Sequence, residues 1–177
     1  MSCNQILKKL LFLASPLGPI GTEEERNKLS QDLLNSKEPI AVAAMILDAV
    51  ESKFELPSNI LREDFEGTVI DLLVKLGEKP GVEDYFIKKL QCPKLLTILL
   101  DTLALRATQS AGPKLAALAR AQITCQTLEL EELVKLISAL GSIGGQESLE
   151  ALRTLNGRGG WPPEVAHEIS IALEWNS

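Results

Sequence analysis

Along this 177-residue chain, apolar residues recur at spacings of three and four, and no sustained run alternates apolar with polar residues. The first periodicity lays one apolar stripe along a helix, while the missing one is what a half-buried strand requires. Prolines and glycines interrupt the stripe every roughly ten to fifteen residues, so the helices are short. Composition agrees. Aromatic residues make up only 4% of the chain, and Leu, Ala and Ile carry most of its 45% apolar content. Such side chains suit close helix packing better than pleated sheets. The expected class is all-α.

Ten helices are expected. The first covers residues 3–14 and is stopped by Ser15-Pro16-Leu17-Gly18-Pro19. Thr22 opens the second, which ends near Asn35. Thr22 and Glu25 stand at capping-box spacing, and Glu23, Glu24 and Glu25 suit the positive end of a helix dipole. Pro39 sits in the first turn of the third, where its missing N–H costs nothing, and Pro57-Ser58 marks the break after it. The fourth spans 61–76 and is expected to end on a left-handed Gly77. The fifth covers 80–90, and the sixth runs from Pro93 to about Arg106. The seventh covers 112–121. The eighth covers 130–140 and is followed by Gly141, Gly144 and Gly145. The ninth covers 146–155, with Asn156-Gly157-Arg158-Gly159-Gly160 read as a flexible turn. The tenth starts at Pro162-Pro163 and reaches Trp175.

The last six helices superpose as three units, residues 77–108, 109–143 and 144–175, at a period of roughly 30 to 36 residues, which is typical of helical repeats. In this register Phe86 and Leu90 match Leu115 and Leu118, then Leu149 and Leu152. Leu99 and Leu103 match Leu136 and Leu140, then Ile169 and Leu173. These positions are expected to form one continuous core. Residues 3–76 fit two further hairpins or a capping bundle, so a single domain over 1–177 is expected, with degenerate or capping hairpins over 1–76 and clearer repeats over 77–175.

The last unit reads Gly145-Gln146-Glu147-Ser148-Leu149-Glu150-Ala151-Leu152, then Pro163-Glu164-Val165-Ala166 and Ala172-Leu173. It resembles HEAT repeats of the phycobilin-lyase type, in which a polar first turn precedes an Ala/Leu helix and a turn ending in Pro-Glu-Val introduces the second. The resemblance covers residues 109–175 and extends back to Gly77. It implies a right-handed α-solenoid of about five antiparallel helix pairs, with second helices lining a shallow concave face. If it extends to function, the partner is a bilin-bearing antenna protein.

The residues offer little catalytic chemistry. Glu164, His167 and Glu168 place carboxylates and an imidazole on neighbouring turns of the tenth helix, a Glu-x-x-His spacing used by di-iron bundles. The pair also resembles the His-Glu pairs of deoxyhypusine hydroxylase, a HEAT-like metal enzyme. That family uses several facing pairs, whereas this chain has one histidine. An exposed pair on a solvated face is the expectation, with no metal and no cofactor. The three cysteines, Cys3, Cys92 and Cys125, lie far apart without metal-ligand spacing or a nucleophile signature. The Asn156–Gly160 stretch lacks the preceding strand and the Gly-Lys-Ser/Thr ending of a phosphate loop.

Net charge of −6 and a pI near 4.9 oppose a nucleic-acid partner, including the duplex that HEAT-like DNA glycosylases clasp. No apolar run reaches the roughly 18 residues of a membrane span, and the short run after Lys8-Lys9 lacks a signal peptide's cleavage site, so a cytoplasmic protein is expected. The leading functional expectation is a non-enzymatic scaffold or adaptor that binds another protein. Candidate contact residues are Arg106, Glu132, Lys135 and His167 on second helices, with Trp161, Glu164 and Trp175 near the C-terminal end. Tryptophan is enriched at interface hot spots, and the tenth helix also offers a face for self-association. The alternatives are a metal-dependent hydroxylase, a nucleic-acid-processing HEAT enzyme, a bilin-lyase-like or antenna-associated protein, and a toxin-neutralising protein.

Overall fold

The computed structural model describes residues 3–15, 22–52 and 54–176. Among them are ten α-helices and no strand: α1 (Cys3–Ala14), α2 (Glu23–Leu34), α3 (Pro39–Glu51), α4 (Arg62–Leu76), α5 (Val82–Lys89), α6 (Leu96–Leu105), α7 (Gly112–Thr124), α8 (Leu130–Ile143), α9 (Gly145–Arg158) and α10 (Pro163–Glu174). Single 3-10 turns at Pro93–Leu95 and Gln109–Ala111 lead into α6 and α7. The chain divides into two compact units, Met1–Ile98 and Leu99–Ser177, with the division inside α6. The stop expected at Pro16 to Pro19 lies outside the described residues.

Local signals set the helix starts. Thr22 caps α2 as its spacing requires: the Glu25 amide donates to Thr22 Oγ1 at 3.2 Å, and the Thr22 amide donates to Glu25 Oε2 at 2.8 Å. Two amides that would otherwise lack partners are thereby satisfied. Pro39 occupies the first turn of α3, where a prolyl ring fits the helical φ.

In the first unit, α1 packs on α3 and α4, and α2 lies against α4. Ile6, Leu10, Ile46, Leu47 and Leu73 are fully buried between these helices. Phe54 and Phe65 meet edge to face at 5.3 Å. The left-handed residue after α4 is Gly81, at φ 76°, rather than Gly77, which is right-handed at φ −59°. The Gly77 amide still donates to Leu73 O at 2.8 Å, so the chain keeps turning and reverses just before α5.

In the second unit, α7 packs on α9 and α8 on α10, each more extensively than α7 on α8 or α8 on α9. Their buried positions recur at constant offsets. On the first helices, Leu115/Ala151, Ala116/Leu152 and Ala119/Leu155 are buried pairs 36 residues apart; on the second helices, Leu133/Val165, Ile137/Ile169 and Leu140/Ala172 are buried pairs 32 apart. The register read from residue identity is therefore displaced. Leu118, Leu149 and Leu173, expected in the core, are only half-buried, while Phe86, Leu115, Leu152, Leu99, Leu103, Leu136 and Leu140 are buried as expected.

Two glycine-containing stretches read as turns are helical. α8 continues through Gly141 to Ile143 and reverses at Gly144, whose φ is 67°. α9 continues through Asn156, Gly157 and Arg158 before Gly159 and Gly160 break it.

A buried glutamine organises the α7–α8 connection. Gln122 is 1% exposed, and its Oε1 accepts from the Thr127 amide at 2.9 Å and the Leu128 amide at 3.1 Å. Its Nε2 donates to Thr127 Oγ1 at 3.2 Å and Leu118 O at 3.4 Å. The change Gln122→Met, which keeps an unbranched side chain of similar volume, is expected to cost about 1–3 kcal/mol, because it strips the acceptor from two backbone amides. Urea denaturation measures the loss, and hydrogen exchange at Thr127 and Leu128 is expected to accelerate with it.

Candidate functional site

The residues singled out by sequence do not converge on one site. Arg106 follows α6 and is half-buried, its amide donating to Thr102 O at 3.2 Å. Glu132 lies in the first turn of α8, where its Oε2 accepts from the Glu129 amide at 2.9 Å, a capping role that explains its half-burial. Lys135 stands 2.6 Å from Asp101 Oδ2, tying α8 to α6, and 3.7 Å from Glu131 Oε1 one turn earlier. Both chains of the Lys135–Asp101 pair are about two-thirds buried, at 28% and 32% exposure, so this lysine is committed within the fold.

The two tryptophans have different roles. Trp161 is half-buried, its indole Nε1 donates to Leu155 O at 2.7 Å, and the Arg158 guanidinium stacks 4.2 Å from the ring centroid. That ring closes the C-terminal end of α9, satisfying one of the carbonyls a helix end leaves open. Arg158 is thus engaged over a ring and does not head an anion-binding loop. Trp175 follows the last residue of α10 and is 65% exposed. The tryptophans flank opposite ends of α10, a 12-residue helix about 18 Å long, and do not form one patch.

Between them, α10 presents Glu164 and His167 exposed and Glu168 half-buried. Among the described residues, no group of three or more His, Cys, Asp or Glu side chains is arranged to hold a metal ion. The Cys92 thiol donates to Glu51 Oε1 at 3.7 Å, and Lys94 Nζ is 4.0 Å from that same oxygen. Cys125 is exposed just after α7. No described helix is long and apolar enough to cross a membrane.

Sequence reasoning missed a cleft of about 320 Å³ beside Trp161 with a mixed lining, the polar Gln122 and Gln126 alongside Leu128, Leu130, Leu133 and Pro162. Its signal was present in Leu130, an apolar residue at the start of an otherwise acidic first turn, which is 47% exposed. The cleft forms because the α7–α8 and α9–α10 connections meet there, which one-dimensional periodicity does not report.

Of the seven candidates, then, Glu132, Lys135 and Trp161 have work inside the fold, Arg106 is partly withdrawn, and Glu164, His167 and Trp175 remain at the surface of one helix. Comparison with known proteins yields no significant match: no family model, curated protein or solved structure resembles this chain closely enough to assign it.

Proposed function

We propose that the chain is a non-enzymatic protein-binding scaffold built from HEAT-like helix pairs, and that α10 carries its principal contact surface. The observation supporting this is Trp175: a large apolar side chain, 65% exposed, immediately after α10, whose own exposed apolar residues are only the small Pro163 and Ala166. Exposing an indole is unfavourable, and tryptophan contributes disproportionately to interface energy when it is covered. The helix-pair stack is supported within the second unit by the packing of α7 on α9 and α8 on α10, the alternation that stacked antiparallel pairs produce. In that arrangement second helices line a concave face, and His167 and Glu164 belong to its accessible part.

Trp175→Ala is expected to abolish partner capture while changing folding stability by no more than about 0.5 kcal/mol, as for other exposed positions. Trp161→Ala is expected to do the reverse, lowering stability by about 1–3 kcal/mol with capture retained in the folded fraction. Crosslinked affinity capture with the wild-type and variant chains, alongside denaturation curves, measures both. An unchanged partner set with Trp175→Ala, together with a large stability loss, would assign this indole to the fold and sink the proposal.

A further inference from the structure

The flank of α10 that carries Trp175 has a counterpart in α8, and the two differ in burial and in chemistry. Glu164, Glu168, Ile171 and Trp175 follow one another at four, three and four residues, so they form one line along the helix. The 32-residue register of the buried stripes sets this line opposite Glu132, Leu136, Ala139 and Ile143 of α8. Leu136 and Ala139 are completely buried, and Ile143 is 4% exposed. Ile143 reaches α7: its Cγ2 stands 3.8 Å from the position a Cβ on Gly112 would occupy. In α8, therefore, this flank is enclosed, with Ile143 lying against α7; α10 packs on its own preceding helix α9 as well, yet that packing leaves the flank uncovered.

In α10 the same flank is open. Glu164 and Trp175 are exposed, and Glu168 and Ile171 are half-buried. Its chemistry is also graded. The N-terminal half offers two carboxylates, the C-terminal half offers Ile171 and the indole, and α10 contains neither lysine nor arginine. A covering helix must supply cations at one end and apolar side chains at the other, because a carboxylate buried without a partner is strongly unfavourable. A second copy does not meet that demand. Parallel pairing sets carboxylates against carboxylates, antiparallel pairing sets them against tryptophan and isoleucine, and neither brings a cation.

We propose that this flank is the seat of a basic amphipathic helix of a partner protein, with Lys or Arg opposite Glu164 and Glu168 and apolar residues opposite Ile171 and Trp175. The inference rests on the protein-binding reading and specifies its partner's chemistry. The length of the line, three helical turns, matches helix-in-groove recognition through anchors at successive turns.

The test uses the full chain carrying Trp161→Phe, so that Trp175 is the only indole reporter. The probes are an 18-residue amphipathic helix made of leucine and lysine and the same pattern made of leucine and glutamate. The Leu/Lys peptide is expected to shift Trp175 emission to the blue and bind saturably, and the Leu/Glu peptide to do neither. E164K/E168K, or E164Q/E168Q if the first does not fold, is expected to weaken binding at least about tenfold. D32K/E55K, which makes the same charge change as E164K/E168K at exposed positions of the first unit, is expected to change it less than about twofold.

Equal weakening by D32K/E55K, or binding that leaves Trp175 emission unmoved, overturns the inference by showing non-specific attraction to an acidic protein. Sedimentation showing a dimer of the free chain that Trp175→Ala dissociates overturns it in favour of a second copy. Trp175-dependent capture of a partner that the Leu/Lys peptide fails to displace also overturns it, while leaving the protein-binding reading intact.

Discussion

Gly141→Val is expected to destabilise the chain by about 1–3 kcal/mol or more, as for insertion of atoms into a closed packing site. A Cβ at Gly141 lies 2.8 Å from Ala172 Cβ and 3.1 Å from Ala172 Cα, so the obstruction is backbone rather than the movable end of a side chain. The site is also tied: Asn176 Nδ2 donates to Gly141 O at 2.9 Å and to Ala172 O at 2.8 Å, joining the C-terminal ends of α8 and α10. Even Gly141→Ala is expected to lose stability, although alanine in a solvated helix gains about 1 kcal/mol over glycine. Adding Ala172→Gly to Gly141→Ala removes the Cβ–Cβ clash and is expected to restore part of the loss. A double-mutant cycle by urea denaturation measures that coupling. Independent losses from the two substitutions would show that α8 and α10 do not approach this closely.

Gly141 also illustrates where sequence reading reached its limit. A glycine shortly before Gly144-Gly145 looks like the beginning of a break, but here it is the point at which one helix accommodates another. The requirement comes from Ala172, 31 residues later, and no local rule contains it. The same applies to Asn156-Gly157-Arg158, whose composition favours a turn although the residues complete α9, with Arg158 stacked on the Trp161 ring just beyond the helix. Tertiary packing outweighs propensity in both places. At three helix starts, where the determining chemistry lies within one turn, the reading held: Thr22 and Glu25 cap α2, Pro39 starts α3, and α10 begins within the Pro162-Pro163 pair.

The candidate site was legible to a similar depth. Helical spacing alone places Ile171 and Trp175 beside Glu164 and Glu168; of these, Glu164 and Trp175 are exposed and Glu168 and Ile171 half-buried. Spacing does not reveal that Trp161 donates its N–H to Leu155 O, or that Lys135 is held by Asp101, 34 residues earlier. Tryptophan's enrichment at interfaces and the polar position of Lys135 on a second helix made them candidates, and only their partners show that they serve the fold. What distinguishes Trp175 from Trp161 is exposure: Trp161 is half-buried against Leu155 O and Arg158, whereas Trp175 is 65% exposed, a difference of tertiary packing rather than of residue type.

Leu152→Ala is expected to cost about 2–5 kcal/mol, whereas Leu149→Ala, three positions earlier on the same helix, is expected to cost about 1 kcal/mol. Residue identity pairs Leu149 with Leu115 and Leu152 with Leu118, which makes both core positions. Burial instead pairs Leu152 with Ala116, both completely enclosed, and leaves Leu149 at the edge of the α7–α9 contact. Large and small residues alternate across that seam: Leu115 corresponds to Ala151, Ala116 to Leu152 and Ala119 to Leu155. An alanine at 152 therefore removes the larger member of its pair where the smaller one cannot fill the space, and the cavity adds to the lost transfer energy. At 149 solvent already reaches the side chain, and little cavity forms. Urea denaturation of the two variants decides between the registers. Comparable losses would restore the register read from residue identity, while a difference of about 1 kcal/mol or more in the expected direction supports the offset of 36 residues between α7 and α9.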